Sequence, residues 1–358
     1  MVKPAMVWVV LAVYVALSLF VMGRYLLSSN LGDTWRGATV EQMVNGTAER
    51  PYVYRRLVPV ITFIVREATP SSLQNWVNVN VSQFANDLNT TQVMAVHKRM
   101  FRQALEKTDG FFMRTISAGI AFACLLGFVF ATYRLTVALF PHMTGLHLSA
   151  PIVGLLMVPA LLVPTAFIYD LPALGLAAGC YYALAVKNWR WFFIWFVLAC
   201  VNKETAIFLT IFYCLCYRSL SLTRREYFGF LLLQLIVFVI IRGVIYWQFM
   251  DNPGIFLASS YSPQQAALWL DGYGYKALVT YLTIFFLLVF GWNEKPLFIR
   301  HGITLFMVIY VAYFLFGRPG EYRVFLDVVP LISIMIAHTL IIGTGLSDNK
   351  IQTLFNHK

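Results

Sequence analysis

The stretch WFFIWFVLACVNKETAIFLTIFYCLCY, residues 191–217, decides the fold. Two almost purely apolar runs, 191–201 and 205–217, flank the polar triplet Asn202-Lys203-Glu204. Each run is too short to cross a bilayer unaided, since a span takes about 20 residues. They form either one long helix with a polar turn at its middle or a broken pair that meets at a cavity, where irregular backbone is tolerated. Charges at membrane depth are costly and normally face a cavity and a task. Elsewhere Arg318, Glu321 and Arg323 stand between the apolar runs 303–316 and 324–342, and Asp170 interrupts a third run.

Composition extends this reading to the whole chain. The 358 residues are 59% hydrophobic and only 12% charged, with a mean hydropathy of +0.70. Soluble domains carry about 25% charged residues, so this is a polytopic membrane protein, and its class is an all-α bundle of transmembrane helices. The formal charge of +11 would point to nucleic acid in a soluble protein. Here Lys and Arg gather in cytoplasmic loops, and no nucleic-acid partner is expected. Cys124, Cys180, Cys200, Cys214 and Cys216 all lie in apolar segments, without a CxxC, and read as small core hydrophobes.

Hydropathy gives about ten spans, at 6–27, 111–138, 151–168, 172–186, 191–201, 204–217, 227–247, 276–292, 302–316 and 324–343. The first is too long for a signal-peptide core and is read as a membrane helix. A cytoplasmic N-terminus puts Lys187, Arg190, Arg218, Arg224, Arg225, Lys295 and Arg300 inside. It puts Asp33, Asp170, Lys203, Glu204 and 318–323 on one outer side. Residues 1–358 thus form a single membrane domain. Its one large polar segment, 28–110, is an extracytoplasmic loop inserted after the first span. Within that loop 57–65 reads as an interfacial helix and 93–105 as a second amphipathic one.

The charged groups fall into six places. Asp33 follows the first span, where it is a general base toward a hydroxyl or an ordinary helix N-cap. Arg55 and Arg56, within PYVYRRLVP (51–59), are phosphate-binding arginines or an interfacial anchor. Asp170, within YDLP (169–172), belongs to a turn, orients a hydroxyl or holds a metal. Lys203 and Glu204 cannot face each other on a helix, so each needs its own partner. Arg318, Glu321 and Arg323 make a phosphate clamp or a turn with a local salt bridge. Arg242, alone in its helix, snorkels or joins the cavity. The six histidines show no ligand spacing and no metal site is read, although a divalent cation stays open. GxSxG, P-loop and HExxH motifs are absent from the sequence.

In order, a first span, Asp33, PYVYRRLVP (51–59), YDLP (169–172), VNKETA (201–206) and GEYRVF (320–325) before Pro330 resemble the GT-C-type integral membrane glycosyltransferases and their uncharacterised bacterial relatives. The resemblance implies a sugar donor carried on a polyprenyl phosphate or diphosphate, with catalysis on the periplasmic or lumenal side. It implies Asp33 as base, Asp170 as the second outer acid, and Arg318 and Arg323 on the lipid phosphate. The partners would be membrane lipid, the lipid-linked donor and a glycan, lipid or protein acceptor. The location would be the bacterial inner membrane. The chain departs from the pattern in having no adjacent acidic pair in its first loop. Two other classes stay open: a flippase, polymerase or ligase of lipid-linked glycans, and a non-catalytic subunit of a membrane complex.

Overall fold

A computed structural model describes residues 4–28, 37–90, 110–162, 166–254, 275–316 and 321–344. Among the described residues the regular structure is helical, apart from isolated bridge residues such as the pair Arg50 and Gly254. We number the helices α1 (Pro4–Ser28), α2 (Val40–Asn45), α3 (Leu57–Ala68), α4 (Ser71–Thr90), α5 (Phe111–Leu139), α6 (Thr144–Leu161), α7 (Asp170–Ala185), α8 (Trp189–Asn202), α9 (Ile207–Leu215), α10 (Arg224–Gln248), α11 (Tyr275–Val289), α12 (Leu297–Phe316) and α13 (Val329–Gly343). Each of the ten apolar stretches contains helix among the described residues. Six described segments are long and apolar enough to cross a membrane: Trp8–Leu26, Phe111–Leu139, Thr144–Leu161, Arg224–Gln248, Leu297–Phe316 and Tyr322–Gly343. By length and composition the protein is a multi-pass membrane bundle.

Burial separates the helices into a centre and a ring. α7 and α13 are apolar all round and buried along most of their length, as helices surrounded by other helices must be. α5 packs along α7, and α6 along α13. α10 lies outside and exposes Phe228, Leu232, Ile236, Val239, Val244 and Trp247, a surface that suits lipid. α6 runs through Pro151 and Pro159 from Thr144, earlier than the expected start at 151. The α5–α7 contact depends on Gly175, where a Cβ would fall 2.5 Å from the carbonyl oxygen of Cys124.

The 191–217 stretch forms the broken pair. Lys203 is extended (φ −156°, ψ 149°), which ends α8, and a 3-10 turn at Glu204–Ala206 starts the chain into α9. The Tyr213 ring, late in α9, sits 6.2 Å from Trp189 and 6.4 Å from Phe192, both early in α8. The chain therefore doubles back, with Asn202-Lys203-Glu204 at the tip of a helical hairpin. Contacts fix what lies at each end. Phe212 meets Phe298 at 5.1 Å, so the loops carrying Lys187, Arg190, Arg218, Arg224 and Arg225 share one end with the start of α12. The hairpin tip is at the other end. Lys295 departs from the expectation of a loop charge. It is buried and donates to the Phe290 carbonyl just beyond α11 and to Thr339, because the last carbonyls of a helix need donors.

In the polar segment, α3 is the helix expected near 57–65. It buries Val58, Pro59 and Thr62 and exposes Ile61, Phe63, Ile64 and Val65. The candidate helix at 93–105 lies outside the described residues. α4 was not expected: its apolar residues Leu73, Trp76 and Val79 are sparse and exposed. The segment is fastened to the end of α10. The Asn252 amide donates to the carbonyls of Gly46 and Ala48, both at 2.9 Å, and Arg50 donates to those of Met250 and Gly254.

Gly175→Ala should destabilise the bundle by about 1–3 kcal/mol, the usual cost of forcing a core apart. Gly127→Ala, where a Cβ meets nothing within 4 Å, should be neutral or stabilising by up to about 1 kcal/mol. Thermal unfolding of both variants in the same detergent checks the contrast.

Candidate functional site: a buried charged centre

Short segments far apart in sequence meet at the hairpin-tip end. Asp170 opens α7 with no exposed surface. Its Oδ2 accepts the Phe167 backbone N–H at 2.8 Å, which ties the turn before the helix. The same oxygen lies 3.4 Å from Nη1 of Arg323, and Oδ1 lies 3.5 Å from Nζ of Lys203. A carboxylate without water thus carries two cations, from the hairpin tip and from the 3-10 segment Tyr322–Val328. A buried charge is tolerable only when paired in this way.

Glu204 points away from its neighbour Lys203 and takes separate partners. Its carboxylate receives Arg55 at 2.5 and 3.3 Å, a two-pronged contact, and lies 3.6 Å from Arg242. Arg242 is buried and also donates to the carbonyls of Tyr54 (3.0 Å) and Cys200 (3.4 Å). It therefore joins the centre and holds the hairpin against the segment that bears Arg55. Glu321 grips Arg323 through Nε at 3.0 Å and through Nη2. Burial pushes the Glu321 carboxyl up, but Arg323, with help from Arg55 and Lys203, outweighs it and holds the group below its ordinary value.

Tyr169 links the two halves. Its hydroxyl accepts from Arg55 and, at 3.3 Å, from Arg323. Its ring lies 4.4 Å from the Arg55 guanidinium and 5.7 Å from the Lys203 ammonium, and Phe167 lies 4.2 Å from Arg323. Aromatic faces favour cations at these distances. The tip is pinned beneath by Asn202, whose amide donates to the Tyr169 carbonyl at 2.9 Å.

The structure brings together Arg55, Asp170, Lys203, Glu204, Glu321 and Arg323. Arg56 turns the other way, donating to the Met43 carbonyl and lying over the Phe249 ring, because consecutive residues leaving a 3-10 turn point in different directions. Asp33 and Arg318 lie outside the described residues. Asp327 also belongs here: it is buried beside Thr205 and Lys203. It went unread because a single Asp in the apolar run 324–342 leaves the hydropathy almost unchanged. Among the described residues no three His, Cys, Asp or Glu side chains group as metal ligands.

The arrangement is layered. Asp170, Lys203, Arg55 and Arg323 are buried, while the Glu204 and Glu321 side chains are 35% and 25% exposed. The outermost charges of the centre are thus the two carboxylates, with the arginines they pair with behind them. No family model matches the chain, and no curated protein or solved structure matches it. Fold and site define a class, a multi-pass helical membrane protein with a buried charged centre at one end.

Asp170→Ala removes the carboxylate that Arg323 and Lys203 share and should cost about 3–5 kcal/mol. Glu67→Ala removes the partner of Arg66 in an exposed pair and should change stability by less than about 0.5 kcal/mol. Unfolding in denaturant or by heat, with both variants compared to the parent chain, reads the difference.

Proposed function

We propose that the chain is an integral membrane glycosyltransferase that moves a sugar from a polyprenyl-phosphate-type donor to an acceptor on the extracytoplasmic side. One observation supports it above the rest. Four of the short segments that resemble the GT-C pattern, PYVYRRLVP, YDLP, VNKETA and GEYRVF, contribute side chains to a single connected centre. The basic loops sit at the opposite end, as they would if that end faced the cytoplasm.

In this reading Arg55 and Arg323 take the lipid phosphate. A phosphate entering from the exposed side exchanges places with Glu204 or Glu321, one charge-assisted contact replacing another. Asp170 does not exchange. It is sealed in, and it positions Arg323 and Lys203 rather than acting as a second acid. The base is Asp33, which removes the acceptor proton as the sugar–phosphate bond breaks and the phosphate leaves onto the arginines. α1, which precedes Asp33 in the sequence, reaches this end: the Tyr25 hydroxyl donates to the Phe167 carbonyl at 2.9 Å.

A second reading has its own support. Arg55, Lys203, Arg242 and Arg323 are matched by Asp170, Glu204, Glu321 and Asp327, and such a balanced network also suits a structural subunit. Release of polyprenyl phosphate from lipid-linked sugars, assayed with the full chain in lipid nanodiscs, separates the two. Asp33→Asn should lose about 100-fold or more of transfer with an unchanged melting temperature. Full activity in that variant would remove Asp33 from the chemistry. Lipid-phosphate binding without turnover in the parent chain would favour a flippase or another non-transferring handler. Neither binding nor turnover would favour the structural reading.

A further inference from the structure

Behind the charged centre lies a small cavity walled by Asn202, Lys203, Thr205 and Asp327 and otherwise by alanines and Leu209. Its volume, about 10 Å³ open to a water's centre, is that of a site for one water. Two buried acceptors on these lining residues have no partner among the described residues, Oδ1 of Asn202 and Oδ2 of Asp327. Each residue is already fixed by its other polar atom or neighbour. The Asn202 amide nitrogen donates to the Tyr169 carbonyl, and Asp327 lies beside Thr205. Lys203 carries three donors, and its ammonium pairs with Asp170 at 3.5 Å.

We propose that this cavity binds a single structural water that joins the hairpin tip to the Tyr322–Val328 segment. The water donates its two hydrogens to Asn202 Oδ1 and Asp327 Oδ2 and accepts from the Lys203 ammonium. A metal cation is disfavoured by the ammonium in the wall, and an anion by the Asp327 carboxylate, so the site selects a small neutral molecule with both donors and acceptors. The bridge completes Lys203, which then stays directed at Asp170. It also couples the hairpin tip to the segment that carries Arg323, across a gap that alanines are too short to fill.

The water does not depend on the proposed reaction, so an inactive chain would leave it standing. A structure of the full chain in nanodiscs, at a resolution that shows ordered water, should contain one peak within hydrogen-bond reach of both acceptors. A dry cavity, or side chains collapsed directly onto each other, would overturn the proposal. Thermal melting supplies a second test. Asn202→Leu and Asp327→Leu should each lower the melting temperature by about 2–4 °C or more, and the double variant should lose less than the sum. Strict additivity would count against a shared bridge. Replacing Na⁺ or K⁺ by choline at constant ionic strength should leave the melting temperature unchanged; a specific rise with either metal would assign the cavity to a cation instead.

Discussion

A carboxylate with no access to water, held between two cations from different parts of the chain, is the constraint on which this end of the molecule depends. Asp170 cannot be charged there without cations beside it, and Arg323 and Lys203 both draw on its carboxylate. Meeting that requirement forces three elements into one place: the start of α7, the tip of the α8–α9 hairpin and the Tyr322–Val328 segment. Glu204 then draws in Arg55 and Arg242, and with them the polar segment and α10. The centre is therefore the fastening of the bundle at this end.

The helical hairpin follows from the same economy. An uninterrupted helix over 189–215 would carry Lys203 and Glu204 through its middle, with no turn to aim them apart. The extended residue at Lys203 lets the two side chains diverge, one toward Asp170 and the other toward Arg55 and Arg242. The exposed backbone of the break is satisfied within the protein, where the Arg56 N–H donates to the Val201 carbonyl at 3.1 Å and Arg242 to that of Cys200. That is the condition under which irregular backbone persists at membrane depth.

Much of this was legible in the sequence, for a physical reason. A charge inside an apolar run is so costly that its presence signals a partner, and Asp170, Lys203, Glu204 and Arg323 were all found in that way. The apolar runs marked the helices, since a span of that composition has few other options. What the sequence could not supply was pairing. Arg55 and Arg56 are neighbours of the same type, yet one enters the centre and the other leaves it. Arg242 was visible but unassigned, because its partners lie far away in the chain. Asp327 was hidden by its strongly apolar surroundings. α4 escaped notice because its stability does not rest on a periodic buried face, and α6 was started late because Pro151 reads as a beginning when it lies inside the helix.

The central claim is that Arg55 and Arg323 form one anion-receiving site over a fixed Asp170. A structure of the full chain in a bilayer, with a polyprenyl phosphate bound, tests it most directly. The account predicts the phosphate within hydrogen-bond reach of both guanidinium groups, with Glu204 or Glu321 moved aside and Asp170 unmoved between Arg323 and Lys203. A phosphate bound elsewhere, with Arg55 still on Glu204 and Arg323 still on Glu321, would contradict it.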